Sequence, residues 1–279
     1  MVTSRIGIAA VVAVTGALCL GTGGVAAADT PPVYVALGDS YSAGSGIAPQ
    51  VPSGICGRSA VNYPSLIAGE LGIDTVRDVT CGSAQSGDFA NAQQGRGGVA
   101  APQYDALSED TTLVTVGIGG NDIGLVQLAV GCVSLLPAPL TPSCSDRPDI
   151  AGERIDEFAS TYDVVLDEIA RRSPAARVVM VGYPTGIRPG GCPSQPIRPE
   201  DATYLQSKID QLNSVMAARA QAHGATYVDL AQSSRDHDVC AADSWMVGIV
   251  PTSPDAYVPL HPNAAGHANA ARQILAAVS

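Results

Sequence analysis

The chain of 279 residues is poor in positive charge, with 15 Lys and Arg against 26 Asp and Glu. It also has no internal repeat, no block of like charges and no low-complexity tract. The acidic balance argues against a nucleic-acid partner and against electrostatic adsorption to anionic lipid. Glycine and proline are scattered evenly, so no linker divides the chain, and its length suits one large α/β domain.

Patterns that bind metals are equally scarce. The sequence has no C-x-x-C pair, no histidine at ligand spacing from a cysteine and no dense cluster of carboxylates. We therefore expect chemistry without a metal or another cofactor, and leave open a calcium site in a loop. No G-x-S-x-G sequence surrounds a candidate serine either, which excludes the nucleophile elbow of one common class of serine hydrolase.

Residues 1–28 have the pattern of a secretory signal peptide: an early arginine, the apolar run Ile6–Leu20 and an A-x-A ending. The apolar run is too short to span a bilayer comfortably. We predict cleavage after Ala28, secretion of residues 29–279 as a monomeric domain, and no stable membrane anchor. Lipidation at Cys19 is an alternative that we disfavour, because the residue before it is a leucine rather than a small residue.

Six cysteines remain after the predicted cleavage site: Cys56, Cys81, Cys132, Cys144, Cys192 and Cys240. An even number in an exported chain is typical of disulfides. The sequential pairing closes short to medium loops, and we predict it: Cys56–Cys81, Cys132–Cys144 and Cys192–Cys240. These bridges would hold loops rather than the core.

Apolar, partly β-branched stretches alternate with stretches of helical periodicity. The predicted strands are Val33–Leu37, Thr75–Val79, Leu113–Gly117, Arg177–Gly182 and Thr226–Leu230. The predicted helices are Tyr63–Leu71, Ile155–Arg172, Ala202–His223 and a last helix that begins at Pro262. This alternation indicates a mainly parallel five-stranded sheet with helices on both faces.

Three long connections interrupt the alternation: Ile123–Glu153, Pro184–Asp201 and Ala231–His261. Loops of this length in a compact domain are usually functional. We predict that they form the walls of a substrate site.

Candidate catalytic residues follow the ends of the predicted strands. Ser40 follows the first strand, Gly82 the second and Asn121 the third, while His261 comes just before the last helix. Ester cleavage needs a nucleophile, a base and donors for an oxyanion. Ser40 supplies a hydroxyl and His261 an imidazole. Gly82 supplies a backbone N–H that can approach a substrate closely, and Asn121 supplies a side-chain amide. Asp39, beside Ser40, is expected to accept backbone hydrogen bonds that hold the serine turn.

Four sequence blocks carry a resemblance to a known family: Gly38–Gly44, Thr80–Ala84, Gly119–Asp122 and His261–Asn263. In this order they resemble the blocks of the SGNH (GDSL-type) hydrolases, most of all the secreted actinomycete esterases, lipases and phospholipases. The resemblance implies a flavodoxin-like three-layer α/β/α sandwich. It also implies Ser40 as nucleophile, His261 as base, and an oxyanion hole formed by Ser40, Gly82 and Asn121.

One position departs from the family pattern. The family usually has an aspartate three residues before the histidine, and this sequence has Val258 there. We therefore predict a Ser40/His261 dyad in which a backbone carbonyl, that of Val258, orients the imidazole. Asp255 is a less favoured alternative.

The resemblance favours acyl esters of lipids as substrates, including phospholipids, cleaved through an acyl-enzyme. The main alternative is an acetyl esterase that acts on carbohydrate or cell-wall polymers. A remote alternative is a secreted binding protein without activity, which would require the loss of one of the four blocks. None is lost.

Overall fold

The computed structural model describes residues 1–3, 7, 31–136, 140, 142–250 and 258–279. Residues Pro31–Ser279 form one compact unit. The predicted signal peptide lies almost wholly outside the described residues, and Asp255 lies outside them too. Among the helices that the structure describes, none is long and apolar enough to cross a membrane.

The strands form one main sheet and a short hairpin. They are β1 (Val33–Gly38), β2 (Thr75–Asp78), β3 (Gln93–Gly95), β4 (Gly98–Ala100), β5 (Leu113–Gly117), β6 (Arg177–Val181) and β7 (Thr226–Val228). The main sheet has the order β2-β1-β5-β6-β7 with every pair parallel, and β3 pairs antiparallel with β4. The predicted five-stranded parallel sheet is confirmed. The chain reverses its direction of winding between β1 and β5, and ligands of such sheets bind outside the carboxyl ends of the strands there.

Helices cover both faces of the sheet. They are α1 (Ser40–Ala43), α2 (Tyr63–Leu71), α3 (Leu125–Gly131), α4 (Ile150–Arg172), α5 (Pro199–Ala222), α6 (Leu230–Ser233) and α7 (Ala264–Val278), with short 3₁₀ helices at Gly54–Cys56, Ser86–Phe89 and Gln103–Ala106. α2 packs against α7, and α4 packs against α5.

The side chains of β1 alternate between the two faces of the sheet, as strand geometry requires. Tyr34 and Ala36 pack in one apolar cluster with residues of α2 and α7. Val35 and Leu37 pack in the other cluster with residues of α4 and α5. Every residue of β1 is buried, and burial of a large apolar side chain stabilises the fold by roughly 1.5–3 kcal/mol. The fold is therefore the expected three-layer α/β/α sandwich, with β1 near its centre.

Side-chain caps place several helix ends away from their predicted positions. Asp149 accepts a first-turn N–H and starts α4 more than one turn before the predicted Ile155. Asp229 likewise accepts a first-turn N–H and starts α6, so β7 ends at Val228 rather than at the predicted Leu230. Asn263 caps α7, which therefore begins after the predicted Pro262. A capping oxygen satisfies an N–H that has no partner within the helix.

The long connections predicted from the sequence are partly helical. Ile123–Glu153 contains α3 and the start of α4, and Pro184–Asp201 contains the start of α5. α3 has seven residues, too few for its periodicity to stand out in the sequence.

Three disulfides join the cysteines in the predicted sequential order: Cys56–Cys81, Cys132–Cys144 and Cys192–Cys240. The first links a 3₁₀ helix to the segment after β2. The third links two of the long connections to each other. The bridges thus brace segments near the carboxyl edge of the sheet, where the candidate site lies.

Candidate active site

Ser40 lies at the carboxyl end of β1, on a turn that requires glycine at Gly38. That glycine has a φ of 153°, and a Cβ on it would lie 2.6 Å from the carbonyl oxygen of Gly117. Asp39 caps α1 by accepting the N–H of Tyr41 at 2.8 Å, as predicted. Ser40 is the first residue of α1 and is half-buried, so its hydroxyl stands at the rim of the sheet.

His261 contacts Ser40 directly, although 221 positions separate them in sequence. Its Nε2 lies 2.7 Å from the Ser40 Oγ, and its Nδ1 lies 3.0 Å from the carbonyl oxygen of Pro259. A carbonyl only accepts, so Nδ1 carries the proton and Nε2 is free to accept the serine proton. The prediction of a backbone carbonyl is correct in kind, but the residue is Pro259 and not Val258.

Burial favours the neutral form of His261. Its side chain is only slightly exposed, and desolvation lowers the pKa of its imidazole below the ordinary value, against an opposing effect of the Pro259 carbonyl. A neutral imidazole can act as a general base, whereas an imidazolium cannot.

The segment before His261 is held by backbone contacts from two directions. Leu260 donates its N–H to the Val247 carbonyl at 2.7 Å, and Val247 donates to the carbonyl of His261 at 2.8 Å. Tyr41 donates its hydroxyl to the Leu260 carbonyl, and its ring centroid lies 4.7 Å from that of His261. Leu260 itself has a φ of 67°, a conformation that bulky residues rarely adopt. This backbone arrangement places the Pro259 carbonyl against the imidazole.

The predicted donor Gly82 has another partner. Its N–H donates to the Cys56 carbonyl at 2.9 Å, so it does not point toward an open site. The next residue, Ser83, has a φ of 63°, an unusual conformation for a residue other than glycine. In the described part of the chain, no acceptor takes the N–H of Ser83 or that of Ser40. The N–H of Gly82 is thus already paired in this structure, which argues against its predicted role in an oxyanion hole.

Asn121 lies beside the same segment. One hydrogen of its side-chain amide goes to the Ala84 carbonyl at 2.9 Å, and an amide nitrogen carries two. This bond therefore fixes the side-chain amide of Asn121 next to Ser83 and leaves the second amide hydrogen available for a ligand.

The positive φ of Ser83 could not be foreseen from the sequence, because serine has no preference for positive φ.

Tyr183 is a site residue that the sequence analysis missed. It donates its hydroxyl to the Asp39 carboxylate at 2.6 Å and accepts the N–H of Gly120 at 2.8 Å. Burial raises the pKa of Asp39 to about 7, although the bonds from Tyr183 and Tyr41 favour the carboxylate. This network joins the turn that carries Ser40 to the turn that carries Asn121. The only sign of Tyr183 in the sequence is that a tyrosine directly follows the strand predicted to end at Gly182.

Among the residues that the structure describes, no group of three or more His, Cys, Asp or Glu could hold a metal ion. What the site offers is a hydroxyl in contact with a neutral imidazole, beside unpaired N–H donors. A serine activated by a neighbouring base, with donors aimed at a developing oxyanion, is the arrangement used for acyl transfer.

Comparison with known families agrees with this geometry. The model of the GDSL-like lipase/acylhydrolase family matches residues 36–268. The chain belongs to this family. It is a carboxylic ester hydrolase, and its fold and sequence blocks are those of the family. The resemblance inferred from the four blocks is thereby confirmed.

Relatives in the family include named lipases. The chain is 40% identical to Lipase 2 of Streptomyces coelicolor over 277 residues, which cover 92% of this chain and 91% of that protein. It is similar to the crystal structure of an extracellular lipase from Streptomyces rimosus, with a TM-score of 0.76, 29% identity, and coverage of 88% of this chain and 99% of that one. It is also similar to phospholipase A1 from Streptomyces albidoflavus, with a TM-score of 0.74, 31% identity and the same coverage.

Proposed function

We propose that this protein is a secreted, monomeric hydrolase of lipid acyl esters in which Ser40 is the nucleophile and His261 the base. The single observation that carries the assignment of the dyad is the 2.7 Å contact between Ser40 Oγ and His261 Nε2. The similar proteins include a lipase and a phospholipase A1, which supports lipid esters as the substrate class. The signal-peptide pattern of residues 1–28 supports secretion.

The reaction has two halves. Ser40 Oγ attacks the ester carbonyl carbon while its proton passes to Nε2 of His261, and the tetrahedral intermediate then expels the alcohol, which takes that proton. Water next attacks the acyl-enzyme and gives a proton to the same nitrogen. Collapse of the second intermediate releases the acid and returns the proton to Ser40.

The oxyanion in both halves needs donors. We assign this role to the N–H groups of Ser40 and Ser83 and to the free amide hydrogen of Asn121. No carboxylate stabilises the imidazolium in this proposal, because the Pro259 carbonyl only orients the ring. The oxyanion donors therefore carry a larger share of the stabilisation of the transition state than in a triad with an aspartate.

The decisive experiment is hydrolysis of p-nitrophenyl esters by the Ser40→Ala variant. We expect turnover to fall by about 10⁴-fold or more, because removal of a nucleophile that works with its base abolishes nearly all of their joint effect. A fluorophosphonate probe should label the unmodified protein on the peptide that contains Ser40.

Ser42→Ala is the matched control, since it removes a hydroxyl from the same short helix. The Ser42 hydroxyl accepts from Tyr63 at 2.9 Å, lies 3.4 Å from the Gly117 carbonyl, and makes no hydrogen bond to His261 in the described part of the chain. We expect near-normal turnover from a folded Ser42→Ala protein. Normal turnover by Ser40→Ala, or labelling at another residue, would end the assignment of Ser40. Activity confined to acetyl esters would favour the carbohydrate alternative.

A further inference from the structure

Gln93 is a buried polar residue that the proposed reaction leaves without a role. It lies on β3, in the hairpin that β3 forms with β4. Its Nε2 donates to the Gly82 carbonyl at 2.8 Å. Its Oε1 is also buried and has no hydrogen-bond partner among the described residues. A buried acceptor without a partner costs stability, so stability alone does not account for a glutamine at this position.

The carbonyl that Gln93 binds belongs to a tight turn. The Ala84 N–H donates to the Cys81 carbonyl at 3.1 Å, which closes a β-turn with Gly82 and Ser83 at its centre. Ser83 has a φ of 63°, whereas the φ of Gly82 is not positive. A positive φ at the second central position defines a type II turn and favours glycine there, while a type I turn accepts most residues. By itself this sequence therefore favours type I.

The two turn types differ in the direction of one peptide group, the one between Gly82 and Ser83. This group is planar and trans, so its C=O and its N–H point in opposite directions. The bond from Gln93 holds the C=O on one side and thereby directs the Ser83 N–H, a proposed oxyanion donor, to the other. Rotation of the group into a type I turn relieves the positive φ of Ser83. The same rotation replaces the donor by the Gly82 carbonyl.

The ends of the turn are fixed by other groups. Gly82 donates its own N–H to the Cys56 carbonyl at 2.9 Å, and Asn121 donates to the Ala84 carbonyl at 2.9 Å. Neither bond involves the central peptide group. Within the part of the chain that the structure describes, Gln93 makes the only hydrogen bond to that group. Its direction therefore depends on Gln93.

The hairpin that carries Gln93 rests on the 3₁₀ helix that also binds the turn. Gly95 of β3 lies so close to Ile55 that a Cβ on the glycine would be 2.7 Å from that side chain. The strand β4 packs against the same 3₁₀ helix. This helix therefore holds both the N–H of Gly82, through Cys56, and the strand whose side chain reaches the Gly82 carbonyl.

We infer that Gln93 is a positioning residue for ester hydrolysis: it selects the type II turn and so presents the Ser83 N–H to the oxyanion. This role rests on the proposed function, since it assumes that an oxyanion forms at an ester bound to Ser40. Gln93 acts through the peptide group and not on the substrate. The donor that it positions stabilises the transition state more than the ground state, so loss of Gln93 lowers kcat and leaves KM nearly unchanged.

The test replaces Gln93 by methionine, which has a similar shape and no donor. Removal of one oxyanion donor lowers kcat by about 10²–10³-fold, and we expect Gln93→Met to lower kcat for p-nitrophenyl butyrate by about tenfold or more. KM should stay within about twofold. Gln94→Met is the matched control, because Gln94 is the next residue of β3 and is exposed. We expect Gln94→Met to leave kcat and KM within about twofold.

A second background separates a role in the turn from a role in packing. Glycine adopts a positive φ without steric cost, so the Ser83→Gly protein keeps the type II turn without help from Gln93. In that background we expect Gln93→Met to lower kcat by less than about threefold, because the two positions are coupled through the turn. A defect in packing would instead lower kcat equally in both backgrounds.

Gln93→Asn protects the test against misfolding. It keeps a carboxamide in the same space but is one methylene too short to reach the Gly82 carbonyl. If Gln93→Met shows no cooperative thermal transition, Gln93→Asn is compared in the same two backgrounds. Normal kcat in a folded variant overturns the role of Gln93, as does an equal loss of kcat in both backgrounds. Loss of folding in both variants also overturns it, since Gln93 is then a residue of the fold.

The role of Gln93 and the proposed function fail in different ways. If no ester is hydrolysed, or if Ser40→Ala is fully active, the proposed function is wrong. If Ser40→Ala is inactive and a folded Gln93→Met protein has normal kcat, only the role of Gln93 is wrong.

Discussion

The two members of the proposed dyad are held in different ways. Ser40 comes directly after the buried strand β1, on a turn fixed by a required glycine and by the capping carboxylate of Asp39. No described strand leads directly into His261, whose segment depends on contacts with distant residues: the Val247 backbone and the Tyr41 hydroxyl. The proposed nucleophile is therefore positioned largely by its local sequence, and the proposed base by tertiary contacts.

Each side also contains a residue in a costly conformation. Among the described residues, the only non-glycine residues with positive φ are Ser83 and Leu260. Ser83 carries one of the proposed oxyanion donors, its own N–H, and Leu260 lies between His261 and the carbonyl that orients it. Such conformations cost on the order of 1–3 kcal/mol and persist where surrounding contacts hold them. Both exceptions therefore fall in the segments that place reacting groups.

Among the changes that test this comparison, we expect the largest effect from Tyr183→Phe, on the nucleophile side. The change removes a donor to the buried Asp39 and an acceptor for the Gly120 N–H. Because two buried polar groups lose a partner, we expect a loss of about 2–4 kcal/mol in the free energy of unfolding. We also expect kcat to fall by about tenfold or more, since both turns shift. Denaturant unfolding and ester hydrolysis measure these changes, and normal values for both would show that the network does not position the site.

Tyr41→Phe is the matched change on the base side, and its effect should be smaller. It removes the hydroxyl that bonds the Leu260 carbonyl but keeps the ring against His261. We expect a loss of about 1 kcal/mol in stability, the usual worth of one such bond. We also expect a reduction of a few-fold in kcat with little change in KM. If Tyr41→Phe proves more damaging than Tyr183→Phe, the contrast between the two sides is reversed.

The smallest expected effect is a shift in the pH profile of the unmodified protein, whose acid limb should lie at lower pH than an ordinary histidine would give. Burial holds the pKa of His261 below its ordinary value of 6.5, and no described carboxylate pairs with its Nδ1. The base is thus active when neutral, and activity is lost as the pH falls through this lowered pKa. We expect the acid limb of the kcat/KM profile to have its midpoint below pH 6.5. A midpoint above that value would indicate a negative partner for the imidazole and would bring Asp255 back into consideration.

Much of this could be predicted from sequence because the signals were local. β1 is a short apolar run that ends in glycine, and Ser40 follows it at once. The order of four motif blocks indicated the family, and an even set of cysteines suggested the disulfides. The expectation and the structure differ by one residue in two places: the unpaired N–H belongs to Ser83 rather than to Gly82, and the carbonyl at the imidazole belongs to Pro259 rather than to Val258. Positive φ in serine or leucine has no sequence signal.

The sequence by itself therefore determined the sheet and the family and nominated Ser40, Asn121 and His261 as candidates for the site, since these depend on local pattern and motif order. Only the tertiary structure decided which carbonyl orients His261, which N–H groups are unpaired, and how Tyr183 and Tyr41 brace the two sides. These features depend on backbone angles and on contacts between segments far apart in the chain. Neither is encoded in any short stretch of residues.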